Sequence, residues 1–224
     1  MIVVGLDCSG DDLLVGLAAD RQIVGSRRIS AHRRHAELLP GEILTLLSAY
    51  GYDLADVEGY AITSGPGSYT GLRVGASVVM GLAAARDLPV AALTSFELMF
   101  REYAHPEKPL GCLIPCRGDL YFWCVLAPGA WTTPSMEVCT LPEIAESLNS
   151  PMLIVGPRLD EMGRVVEGHK YPPELLIYPA PGAGGRLALW GSRKIADGRL
   201  IGGFGWQLNY GPTPGFRRWS KTSK

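Results

Sequence analysis

The sequence predicts an α/β fold built as two lobes of related topology. Three observations point there. The chain opens on short apolar runs separated by polar turns. Apolar stretches of strand and helix type then alternate. The second half repeats a looser version of the same β-then-α order. The lobes are placed at residues 1–94 and 95–224, the second being a smaller, diverged lobe with a tail.

The opening runs are Ile2 to Asp7, Leu13 to Ala19 and Ile23 to Ile29. The turns Gly10-Asp11-Asp12 and Asp20-Arg21-Gln22 separate them, so an antiparallel meander of three strands is expected. His35 begins a helical pattern. Leu38, Leu39, Ile43, Leu46 and Leu47 recur at three- and four-residue intervals down to Tyr50, and Gly51 ends the run. A strand ends at Thr63, and Ser64-Gly65-Pro66-Gly67-Ser68-Tyr69-Thr70-Gly71-Leu72-Arg73 turns the chain into a second helix running to Ala85. Ser68 or Thr70 is its expected cap. Leu88 to Leu93 is a further strand, giving βββαβαβ with helices able to cover a mixed sheet.

In the second half, Ser95 is the expected cap of a helix carrying Phe96, Leu98, Met99 and Tyr103. Leu110 to Pro115 and Leu120 to Leu126 form a hairpin around Cys116-Arg117-Gly118-Asp119, with Met136 to Cys139 alongside. Leu141 to Leu148 is a short helix, Met152 to Gly156 and Leu175 to Tyr178 are strands, and Ala183 to Asp197 is helical. From Gly198 the composition turns to Gly, Pro, Trp and Arg, a tail with little regular structure of its own.

Hydrophobic residues at 47% and charged residues at 19% exclude a disordered chain. A formal charge of −1 gives no overall basic balance for nucleic-acid binding, so a partner is expected to supply most phosphate contacts. The five cysteines form no C-x-x-C pair and no zinc set, which points to buried thiols in a reducing, cytoplasmic compartment. No secretory leader and no membrane-spanning run is indicated.

The stretch from Thr63 to Gly75 resembles the G-P-G-S-[FY]-T-G-[LV]-R signature of the TsaB (YeaZ) family. Three more places agree. Val4-Gly5-Leu6-Asp7-Cys8-Ser9 resembles its opening I-D-T-[SA] strand. His35-Ala36-Glu37-Leu38-Leu39-Pro40 resembles its H-x-E-x-L-x-P helix start, and Pro115 to Tyr121 resembles its D-A-R-x-x-E-[VL]-Y hairpin. The likeness covers about the first 125 residues well. It implies an actin-like fold of the sugar-kinase and ribonuclease-H-like type, with two lobes of mixed sheets flanked by helices. It also implies a role in forming N6-threonylcarbamoyladenosine at position 37 of tRNAs that read ANN codons. The implied catalytic subunit is the larger paralogue, TsaD. The TsaB-type chain would be a non-catalytic pseudo-enzyme that scaffolds TsaD, with TsaE, an ATPase, binding the pair. tRNA would be reached indirectly through that complex, and the chain alone would form a homodimer.

In that family the two N-terminal-lobe helices bundle with the partner. This nominates His35, Leu38, Leu39, Ile43, Leu46, Thr70, Leu72, Arg73, Gly75 and Val79 as a partner interface. Apolar positions beyond one stripe on the first helix, Leu44 among them, and the small residues Gly71, Gly75 and Gly81 on the second fit such a surface. Arg73, a cation in the first turn of its helix, calls for an anionic partner within the lobe or beyond it.

A Gly-rich turn before a helix can also cradle an anion, through Asp7, Ser9, Gly65, Gly67 and Ser68. Asp11 and Asp12 place negative charge where phosphates would come and weigh against autonomous ATP binding. Metal-binding paralogues carry H-x-x-x-H, whereas His35 stands with Leu39 at the partner position, and His32 falls in a turn beside Arg33 and Arg34. No catalytic residue, no metal and no cofactor of its own is therefore assigned, with a nucleotide expected only at the partner boundary. The alternatives are a self-sufficient actin-fold ATPase or phosphotransferase and, last, a peptidase. No G-x-S-x-G elbow supports the peptidase. The basic end, Arg217, Arg218, Lys221 and Lys224 with Phe216 and Trp219, reads as a solvated tail or a tRNA contact.

Overall fold

The opening meander forms as expected. In the computed structural model, which describes residues 1–130, 135–201 and 208–209, strands β1 (Ile2–Asp7), β2 (Asp12–Ala19) and β3 (Gln22–Ser30) pair antiparallel. Helix α1 (His35–Ala49), strand β4 (Gly59–Thr63), helix α2 (Tyr69–Ala84) and strand β5 (Val90–Leu93) follow. β4 pairs parallel to β1, and β5 parallel to β4, so the first sheet runs β3-β2-β1-β4-β5. Helix α3 (Ser95–Tyr103) leaves this sheet. Its cap is Thr94, whose hydroxyl accepts from Glu97 N–H at 3.0 Å, and not Ser95.

The second half repeats the path. Strands β6 (Leu110–Pro115), β7 (Leu120–Leu126) and β8 (Glu137–Thr140) form a meander. Helix α4 (Leu141–Ser147), strand β9 (Leu153–Gly156), helix α5 (Asp160–Val165), strand β10 (Glu174–Ile177) and helix α6 (Ala183–Ala196) complete it. This sheet runs β10-β9-β6-β7-β8, with β9 and β10 parallel to the meander's first strand. Both halves thus read βββαβαβα, with equivalent sheet orders. Helix α5 is absent from the sequence expectation, although its signs are present. Asp160 and Glu161 sit in its first turn and Arg164 in its last, and Leu159, Met162 and Val166 bury one face.

The strand register sends alternate side chains to opposite faces of the first sheet. Val4, Leu6, Val15 and Leu17 pack with Leu39, Ile43 and Leu47 of α1 and Val79 of α2. On the other face lies α6. It comes so close that a Cβ on Gly16 would run into the Gly184 carbonyl, and only a main chain without side chains allows this approach. Val3, Ala61 and Leu187 share one buried cluster with Phe96 and Met99 of α3 and with Cys112, Phe122 and Val155 of the second sheet. The two halves are therefore joined through a common core, with α3 and α6 between the sheets. Among the described residues no helix is long and apolar enough to cross a membrane.

Candidate functional site

The signature turn sits where β1, β4 and the starts of α2 and α3 converge. Ser68 N–H donates to the Ser9 carbonyl at 2.7 Å, fastening the turn to the β1–β2 hairpin. Ser68 Oγ accepts from Gly71 N–H at 3.2 Å and is the cap of α2. Ser95 Oγ donates to the Pro66 carbonyl at 2.7 Å, and Ser95 N–H to the Gly65 carbonyl at 2.8 Å. The Ser64 carbonyl accepts from Asn209 N–H at 2.8 Å, so the far end of the described chain crosses this turn. The hydroxyls of Ser68 and Ser95 are spent on caps and backbone ties.

Asp7, Ser9, Gly65, Gly67 and Ser68 are brought together, but as a joint. A Cβ on Gly67 would lie 2.5 Å from the Ser9 carbonyl oxygen, and one on Gly71 would collide with the Cys8 carbonyl. Carbonyl oxygens, which repel an anion, thus occupy the hollow beside the turn. The Ser68 and Gly71 N–H groups that an anion would draw on are already engaged.

Asp7 is 3% exposed. Its carboxylate accepts from Ser9 N–H at 2.8 Å and faces the Tyr178 hydroxyl at 3.5 Å. Burial pushes its pKa up despite the hydrogen bonds of Ser9. Burial, reinforced by the charge of Asp7, pushes the Tyr178 hydroxyl up as well. Burial raises the Cys8 thiol too, which leaves it a poor nucleophile.

Asp11 and Asp12 do not stand as uncompensated negative charge, contrary to the sequence expectation. Asp11 pairs with Arg158 of the second half, and Asp12 with Arg28 at 2.6 Å. Arg28 also donates to the Pro179 carbonyl at 3.2 Å. Asp11 is thus compensated from the second half and Asp12 from the neighbouring strand β3, so their repulsion of phosphate is weak. The packed main chain of Cys8 and Ser9 is the stronger obstacle. Sequence reasoning missed Arg158, Tyr178 and Asn209, because each reaches this region from the far half of the sequence.

Of the nominated interface residues, Leu39, Ile43, Leu46, Leu72 and Val79 lie in the protein's own core. His35 is buried as well, with Nε2 lacking a hydrogen-bond partner among the described residues. His32 precedes α1, exposed, at φ 43°. Gly75 packs against Cys8 Sγ, so the small residues at 71 and 75 serve the approach of α2 to the β1–β2 hairpin. Leu38 is half-buried, and Thr70 and Arg73 are exposed. Arg73 holds its guanidinium 4.2 Å from the centre of the Tyr69 ring. The outward surface of α1 and α2 carries two large apolar side chains, Leu44 at 51% and Tyr69 at 53% exposure. Among the described residues no three His, Cys, Asp or Glu side chains converge as a metal site requires.

Residues 27–125 match the family model for TsaD, tRNA N6-adenosine threonylcarbamoyltransferase. The chain is 39% identical over 95 residues to the tRNA threonylcarbamoyladenosine biosynthesis protein TsaB of Haemophilus influenzae, a match covering 41% of this chain and 40% of that protein. Its structure superposes on YeaZ from Pseudomonas aeruginosa with a TM-score of 0.70 and 23% identity, over 89% of this chain and 94% of that one. Over its first half the chain is thus similar in sequence to TsaB proteins, and it shares the fold of YeaZ. Its two halves, each βββαβαβα, form an actin-like two-lobe fold. The likeness extends to the transferase paralogue, with 30% identity over 152 residues to that of Syntrophus aciditrophicus. That match covers 59% of this chain and 45% of the relative, so the chain spans about half the length, or less, of the curated relatives it matches.

Proposed function

We propose that this chain is the non-catalytic partner subunit of the machinery that forms N6-threonylcarbamoyladenosine at position 37 of tRNAs reading ANN codons. In this reading it scaffolds a TsaD-like catalytic paralogue and a TsaE-like ATPase in the cytoplasm, and it forms a homodimer through the same surface when alone. Residues 1–94 carry the docking lobe and residues 95–224 the diverged second lobe and tail. The docking surface is the outward side of α1 and α2, where Leu38, Leu44, Tyr69, Thr70 and Arg73 are accessible. Leu39, Ile43, Leu46, Leu72 and Val79 support it from beneath, having no surface left to offer.

The observation that carries the reading is the state of the hairpin and the turn. Where an actin-fold ATPase would receive phosphate, Cys8 and Ser9 present carbonyl oxygens against Gly71 and Gly67, and Asp7 is sealed under Tyr178. Any nucleotide would sit at the boundary with the partner. The transferase matches favour a second reading, in which the chain is itself the catalytic subunit. The lone His35, with Leu39 where a second metal-binding His would stand, argues against it. Co-purification with the TsaD-like paralogue tests the proposal. A complex at micromolar concentration, broken by Leu44→Glu, supports it. Absence of a complex, or ATP turnover by the isolated chain that Asp7→Ala abolishes, rejects it.

A further inference from the structure

A second feature lies on the opposite face of the first sheet from α1 and α2. At the C-terminal end of α6 a cavity of about 360 Å³ is lined by Arg21, Arg101, Trp190, Arg193, Lys194 and Arg199. A cavity of that volume is at the small end of ligand sites. Asp197 also lines it and pairs with Arg199. Glu97 holds both Lys194, at 2.9 Å, and Arg101, at 3.1 Å. Lys194 also donates to the Ala92 carbonyl at 2.9 Å, and Arg101 stands 5.9 Å from the centre of the Trp190 ring. Five cations thus meet two carboxylates, although the whole chain carries a formal charge of −1.

The cations divide into two kinds. Lys194, Arg101 and Arg199 are positioned by carboxylates. Arg21 and Arg193 have no carboxylate partner among the described residues and are exposed. The end of α6 alone favours cations at its last turn, which accounts for Arg193 and Lys194. It does not account for Arg21, which comes from the β2–β3 turn with φ 63°. Gly or Asn would take that backbone conformation more readily than an arginine does. Two unpaired guanidinium forks beside three anchored cations and a half-buried indole match the recognition of phosphate by Arg, with its paired N–H donors.

We propose that this cavity binds a backbone phosphate of RNA, with Arg21 and Arg193 gripping the phosphodiester and Lys194 and Arg101 setting the local potential. The proposal deepens the functional reading above and rests on it for the choice of RNA. It gives this chain a direct contact with tRNA, on the face left open when α1 and α2 are covered.

The test is binding of a labelled, unmodified tRNA transcript as a function of salt, for the full chain alone and in complex with the TsaD-like paralogue. Native mass of the complex is recorded in parallel. Arg21→Glu/Arg193→Glu is expected to weaken tRNA binding about tenfold or more at low salt. It is expected to reduce the salt slope by about 1, for the one phosphate gripped, with assembly and melting temperature unchanged. Arg117→Glu, an exposed arginine of the β6–β7 turn, is expected to leave both quantities unchanged. Unaltered affinity and slope in the double variant overturn the proposal. So does loss of assembly with unaltered tRNA binding, which would make the cavity an acidic-protein interface. Displacement of tRNA by inorganic phosphate at about 1 mM would reassign it to a free anion. Failure of any complex to form strikes the functional reading alone, because the arm with the free chain still reports on the cavity.

Discussion

Gly71 and Gly81 lie on the same helix and are expected to respond to the same substitution with opposite signs. An alanine Cβ at 71 would fall well inside contact distance of the Cys8 carbonyl oxygen, with the Cys8 carbonyl carbon at 3.2 Å. The Cβ is fixed rigidly to one main chain and the oxygen belongs to the other, so α2 would have to withdraw from the hairpin by about 1 Å or more. Overpacking of this kind costs about 3 kcal/mol, from which alanine's advantage in a helix returns at most about 1. The net loss of about 2 kcal/mol corresponds to a fall of about 4–8 °C in melting temperature for a chain of this size. At Gly81 nothing lies within 4 Å of the added methyl. There Gly81→Ala is expected to stabilise by about 1 kcal/mol and raise the melting temperature by about 2–4 °C. Thermal unfolding followed by circular dichroism reads both. Equal shifts of the same sign would refute the account of the signature glycines as a packing joint.

Asp7→Asn is expected to stabilise the protein at neutral pH. Burial raises the folded-state pKa of Asp7 above its ordinary value of 3.8, so the unfolded chain gives up this proton first. Between 3.8 and the folded value the native protein therefore loses stability as pH rises, by at most about 1.4 kcal/mol per pH unit. The gain in urea midpoint should be largest at pH 7 and vanish toward about pH 3.5, and a net loss above about 1 kcal/mol at pH 7 would count against the buried carboxylate. Arg158→Ala removes an exposed ion pair, both side chains being about two-thirds solvent-accessible, and should change stability by less than about 1 kcal/mol in a denaturant titration. Leu44→Glu should leave the melting temperature within about 2 °C while weakening association with the TsaD-like paralogue about thirtyfold, as read by calorimetric titration.

Much of the fold can be read from local pattern. The three opening runs and the stripe through Leu39, Ile43, Leu46 and Leu47 carry their periodicity in the sequence, and the strand and helix flanking Ser64 to Arg73 follow from it. The shorter second-half elements carry less. Helix α5 has only six residues, too few for a repeat to stand out. At α3 the cap differs from expectation by one residue, because Thr94 and Ser95 offer the same chemistry and only the tertiary contact to Pro66 separates them.

For the site, the limit is sequence distance. The signature identified the turn, but its meaning depends on groups that meet it from elsewhere. Tyr178 covers Asp7, Arg158 neutralises Asp11, and Asn209 crosses Ser64. The apolar stripe could not show which side would be covered by the protein's own sheet. Leu39 and Leu44 look alike in sequence, yet the first is buried and the second half exposed. The basic end, Arg217 to Lys224, read from the sequence as a solvated tail or a tRNA contact, lies outside the described residues.

The central claim is that this chain completes the complex without contributing chemistry. Its most direct measurement is the rate of threonylcarbamoyladenosine formation on a tRNA transcript by the reconstituted subunits. Omission of this chain should abolish the rate, and Asp7→Asn should restore it to within about twofold of the native chain. A loss of tenfold or more with Asp7→Asn while native mass shows an intact complex would contradict the claim, as would a full rate without this chain.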